Sequence, residues 1–138
     1  MVKLTRAGEY AIKGMVFLAQ QSGEGLTLIA DVAASQDVSA GFLAKIFQSL
    51  SRAGLVDSHR GAGGGVSLGM SAERINIRMI IEAVEGPIAL NNCLLEHGGC
   101  EDADHCALAG MWQHAQDAML RVLEGTNLAG LVASEKRD

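Results

Sequence analysis

The chain has 138 residues and a formal net charge of −5, which is enough length for one domain with a buried core. Only 4% of the residues are aromatic, and alanine, leucine and methionine carry the apolar content, which favours helices over a β-sandwich. The apolar run near the start is broken by Lys13, so we expect no transmembrane span.

The charge is divided unevenly along the chain. Residues 1–78 contain eight Lys or Arg and six acidic residues, a net charge of +2. Residues 79–138 contain three Lys or Arg and ten acidic residues, a net charge of −7. This asymmetry indicates a slightly basic binding half and an acidic half for sensing or assembly.

A first helix is predicted from Thr5, which is suited to cap it, to about Gln21. Its apolar residues recur at helical spacing and predict one buried face, formed by Ala7, Ala11, Met15, Leu18 and Ala19. On the polar side Glu9 and Lys13 stand four residues apart, the spacing of an exposed ion pair.

Two further helices are predicted, joined by a tight turn at 35–38. The first covers 27–34 and begins at Thr27, and the second covers 40–53 and is capped by Ser39. The apolar stripe of the second helix leaves a small, polar and basic face outward, which suits insertion into a major groove. The pair therefore predicts a helix-turn-helix, although many helical domains contain such a pair without binding DNA.

A β-hairpin is predicted directly after these helices, with strands at 55–58 and 66–68. The loop at 59–65 is rich in glycine and carries Arg60. A dinucleotide-binding loop is rejected, because Val66 stands where a third fingerprint glycine belongs and a strand follows where a helix is needed. We interpret the hairpin as a wing, whose Arg60 enters a minor groove while glycine backbone approaches phosphate.

The residues expected to contact DNA come from the second of these helices, including its cap, and from the wing. They are Ser39, Gly41, Lys45, Gln48, Arg52, His59, Arg60, Gly61, Gly63 and Gly64.

A short helix at 77–84 and a long helix from Cys106 to Gly125 are predicted next. The apolar stripe of the long helix needs a partner surface, which in so small a domain is the same helix of a second copy. The residues expected in this dimer interface are Met111, Trp112, Ala115, Met119 and Val122. A last apolar turn at 128–132 and a polar tail at 134–138 complete the chain.

The segment 91–112 holds all three cysteines, Cys93, Cys100 and Cys106. An odd number of thiols cannot pair off as disulfides, and no signal peptide pattern is seen, so we expect a reducing cytoplasm and a metal-binding role. Core positions are disfavoured, because glycine, acidic residues and His105 flank Cys100 and Cys106. We interpret the segment as a metal or cluster site with one ligand missing, and the residues do not distinguish iron from zinc.

The residues resemble a known family, the winged-helix iron-sulfur regulators of bacteria that include IscR and NsrR. The resemblance rests on the start LTRAGEYAIKGM, the run LSRAGLVDSHRGAGGGVSLG, the segment IIEAVEGPIAL, the three cysteines with Trp112 six residues after the last, and the ending TNLAGLV. It implies a homodimer on a palindromic operator and a 2Fe-2S or 4Fe-4S cluster held by Cys93, Cys100 and Cys106. It also implies that cluster state changes DNA affinity, with iron-sulfur status, redox state or nitric oxide as the signal.

Two positions depart from the IscR pattern. IscR-like members have a histidine three residues after the last cysteine, where this chain has Ala109, and an acidic residue in the recognition helix, where it has Ala44. NsrR-like members take a carboxylate from the first helix of the opposite subunit, and the matching position is Glu9. The candidates for the fourth ligand are Glu9, His97, His105, a water or small thiol, and a residue brought from elsewhere in the chain.

The expected fold is mainly α with a small β-hairpin: a winged helix-turn-helix followed by a long dimerisation helix. Within one compact domain we expect a DNA-binding region at 1–86, a cluster-binding loop at 87–106, and a dimerisation helix with its tail at 107–138. The expected function is a DNA-binding regulator of transcription, a repressor or an activator, and not an enzyme, because no catalytic triad or paired carboxylates are recognisable. The alternatives are a zinc-stabilised winged-helix regulator and an iron-sulfur electron carrier, which would have no use for a wing.

Overall fold

The computed structural model of the chain describes residues 5–21, 25–59, 64–88 and 107–136. Across these ranges it contains six helices and a two-stranded antiparallel sheet, which confirms the predicted fold class. In chain order the elements are α1 (Arg6–Gln20), α2 (Ile29–Gln36), α3 (Ala40–Arg52), β1 (Val56–His59), β2 (Gly65–Leu68), α4 (Ile77–Glu85), α5 (Ala107–Gly125) and α6 (Leu128–Lys136). None of the helices in these ranges has both the length and the apolar character needed to cross a membrane.

Side-chain caps fix where three of the helices begin. Thr5 and Ser39 each accept a hydrogen bond from the backbone N–H three residues later, at 3.1 Å. Asn76 does the same for α4, at 2.9 Å. A cap of this kind is worth about 1 kcal/mol, because it satisfies an N–H group that has no partner inside the helix. The predicted starts of α1 and α3 are therefore confirmed.

The predicted start of α2 was wrong. Thr27 does not open the helix but forms an antiparallel bridge with Val66, with N–H to oxygen distances of 2.9 and 2.8 Å. The helix begins two residues later, at Ile29. The bridge needs the glycine beside Val66, because a Cβ atom on Gly65 would lie 2.7 Å from the carbonyl oxygen of Thr27.

The buried core lies between α1 and the helices around it. α1 packs against α2, α3, α4 and α6. The largest fully buried side chains come from almost every element: Met15, Val32, Leu43, Phe47, Leu50, Leu55, Val56, Val66, Ile75, Ile80 and Leu128. Burying a side chain of this size contributes about 1.5–3 kcal/mol, so this core holds α3 and the hairpin in fixed positions.

The C-terminal helix returns to the first part of the chain. Leu128 is fully buried, and its N–H donates to the carbonyl oxygen of Ile75 at 2.8 Å. Asn76 and Asn127 form an isolated antiparallel bridge at the same place. The helix continues to Lys136, so the expected polar tail from Ser134 is helical up to that residue. The division at 1–86, 87–106 and 107–138 stays a prediction.

Arg78 links α4 to α5. Its guanidinium donates to Glu124 of α5 and, at 3.0 Å, to Glu82 of its own helix. The hydrogen bonds to Glu124 and Glu82 raise the pKa of Arg78 above its usual value, which favours the charged form of a side chain that is already cationic. The second oxygen of Glu82 accepts the N–H of Ile88 at 3.4 Å, which ties down the segment that leaves α4.

Candidate DNA-binding surface

α3 turns a polar face away from the core. Its apolar stripe is buried and comprises Leu43, Ile46, Phe47 and Leu50. The residues on the opposite side are exposed, namely Gly41, Lys45, Gln48 and Arg52, together with the cap Ser39. Ala44, expected to face outward with them, is half-buried. The exposed face carries two cations and an amide, which is a donor and an acceptor at once, so it can hydrogen-bond to base edges.

A tight turn joins α2 to α3. Asp37 ends α2 in a left-handed conformation, with φ 56° and ψ 46°, which aspartate tolerates better than most residues. The N–H of Val38 donates to the carbonyl oxygen of Ala33 at 3.1 Å, so the turn is held by the last turn of the helix. Because α2 and α3 also pack against each other, the pair has the arrangement of a helix-turn-helix.

β1 and β2 form the stem of the predicted wing. His59 and Gly65 were expected in the loop, but they pair with each other at the end of the strands. His59 is exposed there. The stem therefore reaches farther than predicted, and residues 60–64 separate the two strands in the sequence. Arg60, Gly61 and Gly63 lie outside the described residues.

A cleft of about 380 Å³ separates α3 from the hairpin. Gln48 lines one wall, His59 and Gly64 line another, and Leu28 and Ile29 at the start of α2 close the third. Because the exposed face of α3 and the wing stem border one cleft, a ligand that fills the space beside α3 also meets the wing.

The predicted metal ligands lie mostly outside the described residues. These are Cys93, Cys100 and Cys106, with His97 and His105. Glu9 lies in the first turn of α1, half exposed, with Oε1 3.1 Å from Nζ of Lys13. Within the described ranges no three His, Cys, Asp or Glu side chains come close enough together to hold a metal ion. The ligand set stays a prediction.

Known proteins match nearly the whole chain. A family model described as Rrf2, iron-dependent transcriptional regulator, matches residues 4–134. The chain belongs to the Rrf2 family. Two relatives named HTH-type transcriptional regulator IscR are each 33% identical over 98% of this chain: one from Aliivibrio salmonicida, of which 80% is covered, and one from Escherichia coli strain K12, of which 83% is covered.

Solved structures agree with this Rrf2 assignment. The CymR of B. subtilis, titled the global cysteine regulator, is 34% identical with a TM-score of 0.79, over 97% of this chain and 98% of that one. The IscR of T. potens is 27% identical with a TM-score of 0.77, over 97% and 88%. The relatives are regulators of transcription and not enzymes, so this Rrf2 chain is a helix-turn-helix transcriptional regulator with a winged-helix fold.

α5 of this Rrf2 chain has an apolar stripe that the described residues leave uncovered. Leu108, Met111 and Val122 are 58%, 50% and 67% exposed, and Ala115 is exposed between them. Leu108, Met111 and Ala115 are spaced by three and then four residues, and Val122 follows seven residues later, a spacing that is typical of packed helix pairs. Trp112 and Met119 lie beside the stripe and are half-buried. The five residues expected in a dimer interface therefore lie on two neighbouring faces of α5. The face with Met111, Ala115 and Val122 is exposed, and the face with Trp112 and Met119 is half-buried.

Arg6 is a cation near α3 that the sequence pattern did not single out. Its guanidinium carbon lies 5.8 Å from the ring centre of Tyr10 and 5.8 Å from that of Phe42. Phe42 belongs to the first turn of α3, so α1 brings a positive charge to the end of that helix. The spacing of four residues between Arg6 and Tyr10 was a signal in the sequence, whereas the contact with Phe42 depends on the packing of α1 against α3.

Proposed function

We propose that this Rrf2 regulator is a cytoplasmic homodimer that binds an operator in double-stranded DNA, and that an iron-sulfur cluster on Cys93, Cys100 and Cys106 sets its affinity. The observation that carries the proposal is the exposed polar face of α3, which the core supports from behind and the wing stem flanks. A rigid helix with such a face fits the width of a major groove.

In this proposal DNA contacts are divided between α3 and the wing. Lys45 and Gln48 reach base edges, since an ammonium suits the acceptors of guanine and an amide suits adenine. Arg52, with Ser39 and Gly41 at the other end of the helix, lies close to the backbone of the duplex. In the wing Arg60 enters a minor groove. His59, Gly61, Gly63 and Gly64 line the path along which the backbone of the loop approaches phosphate.

The open stripe on α5 supports the homodimer. Leu108, Met111 and Val122 form a row of exposed large apolar side chains on one side of α5, and such a row marks an interaction surface. A second copy of α5 covers the row by a self-complementary two-fold contact, with Met111, Ala115 and Val122 at its centre and Trp112 and Met119 at its edge. Two α3 helices related by this axis match a palindromic operator, with half-sites about 34–36 Å apart.

The donor set of the cysteine segment supports a cluster. Three thiolates are soft ligands that suit iron-sulfur clusters and also zinc. A bound cluster would supply a centre that reacts with oxidants or nitric oxide. Zinc on the same thiolates is the second candidate, and it would stabilise the segment without responding to redox state.

Glu9 is the proposed fourth ligand, reaching the cysteines of the opposite subunit. Its exposed ion pair with Lys13 is worth only a few tenths of a kcal/mol, so the carboxylate is easily released for ligation. A carboxylate oxygen is a harder and weaker iron ligand than a thiolate, so its bond is the easiest to break. Because α1 packs against α3, movement at Glu9 reaches the DNA-binding helix. His97 and His105 are the local alternatives.

Two measurements on one anaerobic preparation test the proposal. Visible absorption with iron and sulfide analysis should give broad charge-transfer bands and iron with matching sulfide, whereas a colourless protein with one zinc per chain contradicts the cluster and supports zinc. Operator titrations before and after cluster removal should give different affinities. Equal affinity in both states contradicts sensing through the cluster and leaves DNA binding intact.

A further inference from the structure

Arg6, the first residue of α1, lies beside the first turn of α3 without an assigned role. Its side chain is exposed, and none of the ion pairs among the described residues involves it. The two carboxylates near this end of α1 have other partners: Glu9 pairs with Lys13, and Glu85 accepts the N–H of Thr5 at 2.9 Å. In the described part of the chain the guanidinium therefore has ring contacts and no carboxylate within ion-pair distance.

Two aromatic rings hold Arg6 in place. Its guanidinium carbon is 5.8 Å from each ring centre, and the rings of Tyr10 and Phe42 meet edge to face at an angle of 87°. A cation is attracted to the face of an aromatic ring. Two such contacts restrict a side chain that is otherwise costly to order, so part of the entropy cost of ordering Arg6 is met before any ligand arrives.

Two helix N-termini meet beside Arg6, and their dipoles favour an anion from outside the protein. Arg6 lies at the N-terminus of α1, and Phe42 lies at the N-terminus of α3, where helix dipoles place partial positive charge. Lys13 lies 5.3 Å from the ring centre of Tyr10, but its ion pair with Glu9 leaves it without net charge to add here. The positive charges converge beside the end of α3 whose residues reach the bases in a helix-turn-helix complex.

We infer that Arg6 binds a phosphate of the operator backbone, at the edge of the major groove that α3 enters. The inference rests on the proposed binding of DNA by α3. When the first turn of α3 lies in the major groove, a side chain packed against Phe42 faces the sugar-phosphate backbone that borders the groove. A guanidinium binds phosphate through two parallel hydrogen bonds, so Arg6 fixes how α3 is oriented in the groove. Tyr10 is a positioning residue for this contact.

DNA titrations at several salt concentrations test the inference. The proposed dimer has two Arg6 residues, and each lost phosphate contact releases fewer counterions. Arg6→Ala should therefore reduce the slope of log K against log salt by about 0.9 per subunit, about 1.8 for the dimer, and weaken binding roughly tenfold per contact. Phosphate carries no sequence information, so the operator and an unrelated duplex should lose affinity by the same factor. Arg6→Lys keeps the charge and should keep the slope. The matched control is Arg74→Ala, an exposed arginine in the turn before α4, which should change neither quantity.

The outcomes separate this inference from the proposed function. If Arg6→Ala keeps the parent slope, or loses affinity for the operator alone, the phosphate contact is overturned while DNA binding stands. If the parent protein binds no duplex at any salt concentration, the proposed function fails instead. Circular dichroism melting checks that each variant is folded. If the alanine variant unfolds, Arg6→Gln, which removes the charge, is compared with Arg6→Lys, which keeps it. Tyr10→Leu should weaken DNA binding without changing the slope of log K against log salt. If this variant binds DNA with the affinity of the parent, Tyr10 does not position Arg6.

Discussion

Gly14 of α1 faces the ring of Phe47 in α3 so closely that a Cβ atom on Gly14 would lie 3.1 Å from Cε1 and 3.2 Å from Cζ of that ring. Both residues are buried. Phe47 lies on the inner side of the helix whose outer side carries Lys45 and Gln48. The crossing at Gly14 therefore sets how far the DNA-binding face stands out from the core.

Gly14→Ala should lower the free energy of unfolding by about 1 kcal/mol. Overpacking against Phe47 costs about 1–3 kcal/mol, and this outweighs the gain of about 1 kcal/mol that alanine brings to a helix. The control is Gly110→Ala in α5, which should gain up to about 1 kcal/mol. Among the described residues, no atom beyond its chain neighbours and its own helix backbone lies within 4 Å of the added methyl group. Urea unfolding measures the stability of both variants. An equal gain in stability would show that the added methyl group fits between α1 and α3 without overpacking.

Lys45→Ala should weaken operator binding by about 1–3 kcal/mol and relax the base preference, if the exposed ammonium reads a base edge.

Arg60→Ala should instead lower affinity for all duplexes and flatten the salt dependence, because a groove or phosphate contact releases counterions. Arg121→Ala removes an exposed cation of α5 and serves as the control. Parent-like binding by both the Lys45 and the Arg60 variant would refute this assignment of DNA contacts.

The sequence was sufficient where the interactions that shape an element are local. Thr5 and Ser39 cap their helices through bonds to residues three positions away, so the starts of α1 and α3 could be predicted. The exposed face of α3 could be predicted because the apolar residues of this helix recur at helical spacing. Thr27 was assigned wrongly because its partner is Val66, a distant residue whose pairing overrides the preference of the neighbouring helix.

Tertiary packing decided what the sequence could not. The apolar period of α5 marked a broad stripe, but only contact with α4 determines which part of it stays open. The last helix runs past Ser134 because Leu128 anchors it in the core, which composition does not reveal. Arg6 gained its place beside Phe42 from the packing of α1 against α3. The contacts of Glu9 with a second subunit depend on an assembly that a single chain does not contain.

Ala115→Asp should convert the proposed dimer to a monomer that has lost most of its operator affinity. The side chain is exposed within its own chain, so the new charge disturbs the fold little, but in a dimer it would be buried without a partner. Gln113→Glu is the control for the charge, since it adds the same charge about 200° around the same helix. It also loses the hydrogen bond that Gln113 donates to Asp117 at 2.9 Å, so its unfolding is measured beside its oligomeric state. Sedimentation velocity separates the two states. A dimeric Ala115→Asp protein would mean that the stripe is covered by another part of the same chain.

Glu9→Ala should retain the proposed cluster but shift its visible absorption and circular dichroism, and speed its reaction with oxidants. The three thiolates remain, and the position that the carboxylate occupied becomes open to water or another small ligand. The measurement compares spectra of variants loaded anaerobically to the same iron and sulfide content, followed by stopped-flow oxidation.

Lys13→Ala is the matched control for this change, because it breaks the same ion pair, 3.1 Å long, while leaving the carboxylate in place. Its cluster spectra should equal those of the parent. If a spectral shift appears in both variants, the ion pair and not ligation is responsible. If Glu9→Ala leaves the spectra unchanged while His105→Ala alters them, the fourth ligand is local. In that case the cluster cannot act on α1 of the other subunit through Glu9, and the signal has to reach α3 along the chain that carries the cysteines, through α4 and its packing against α1 and α3.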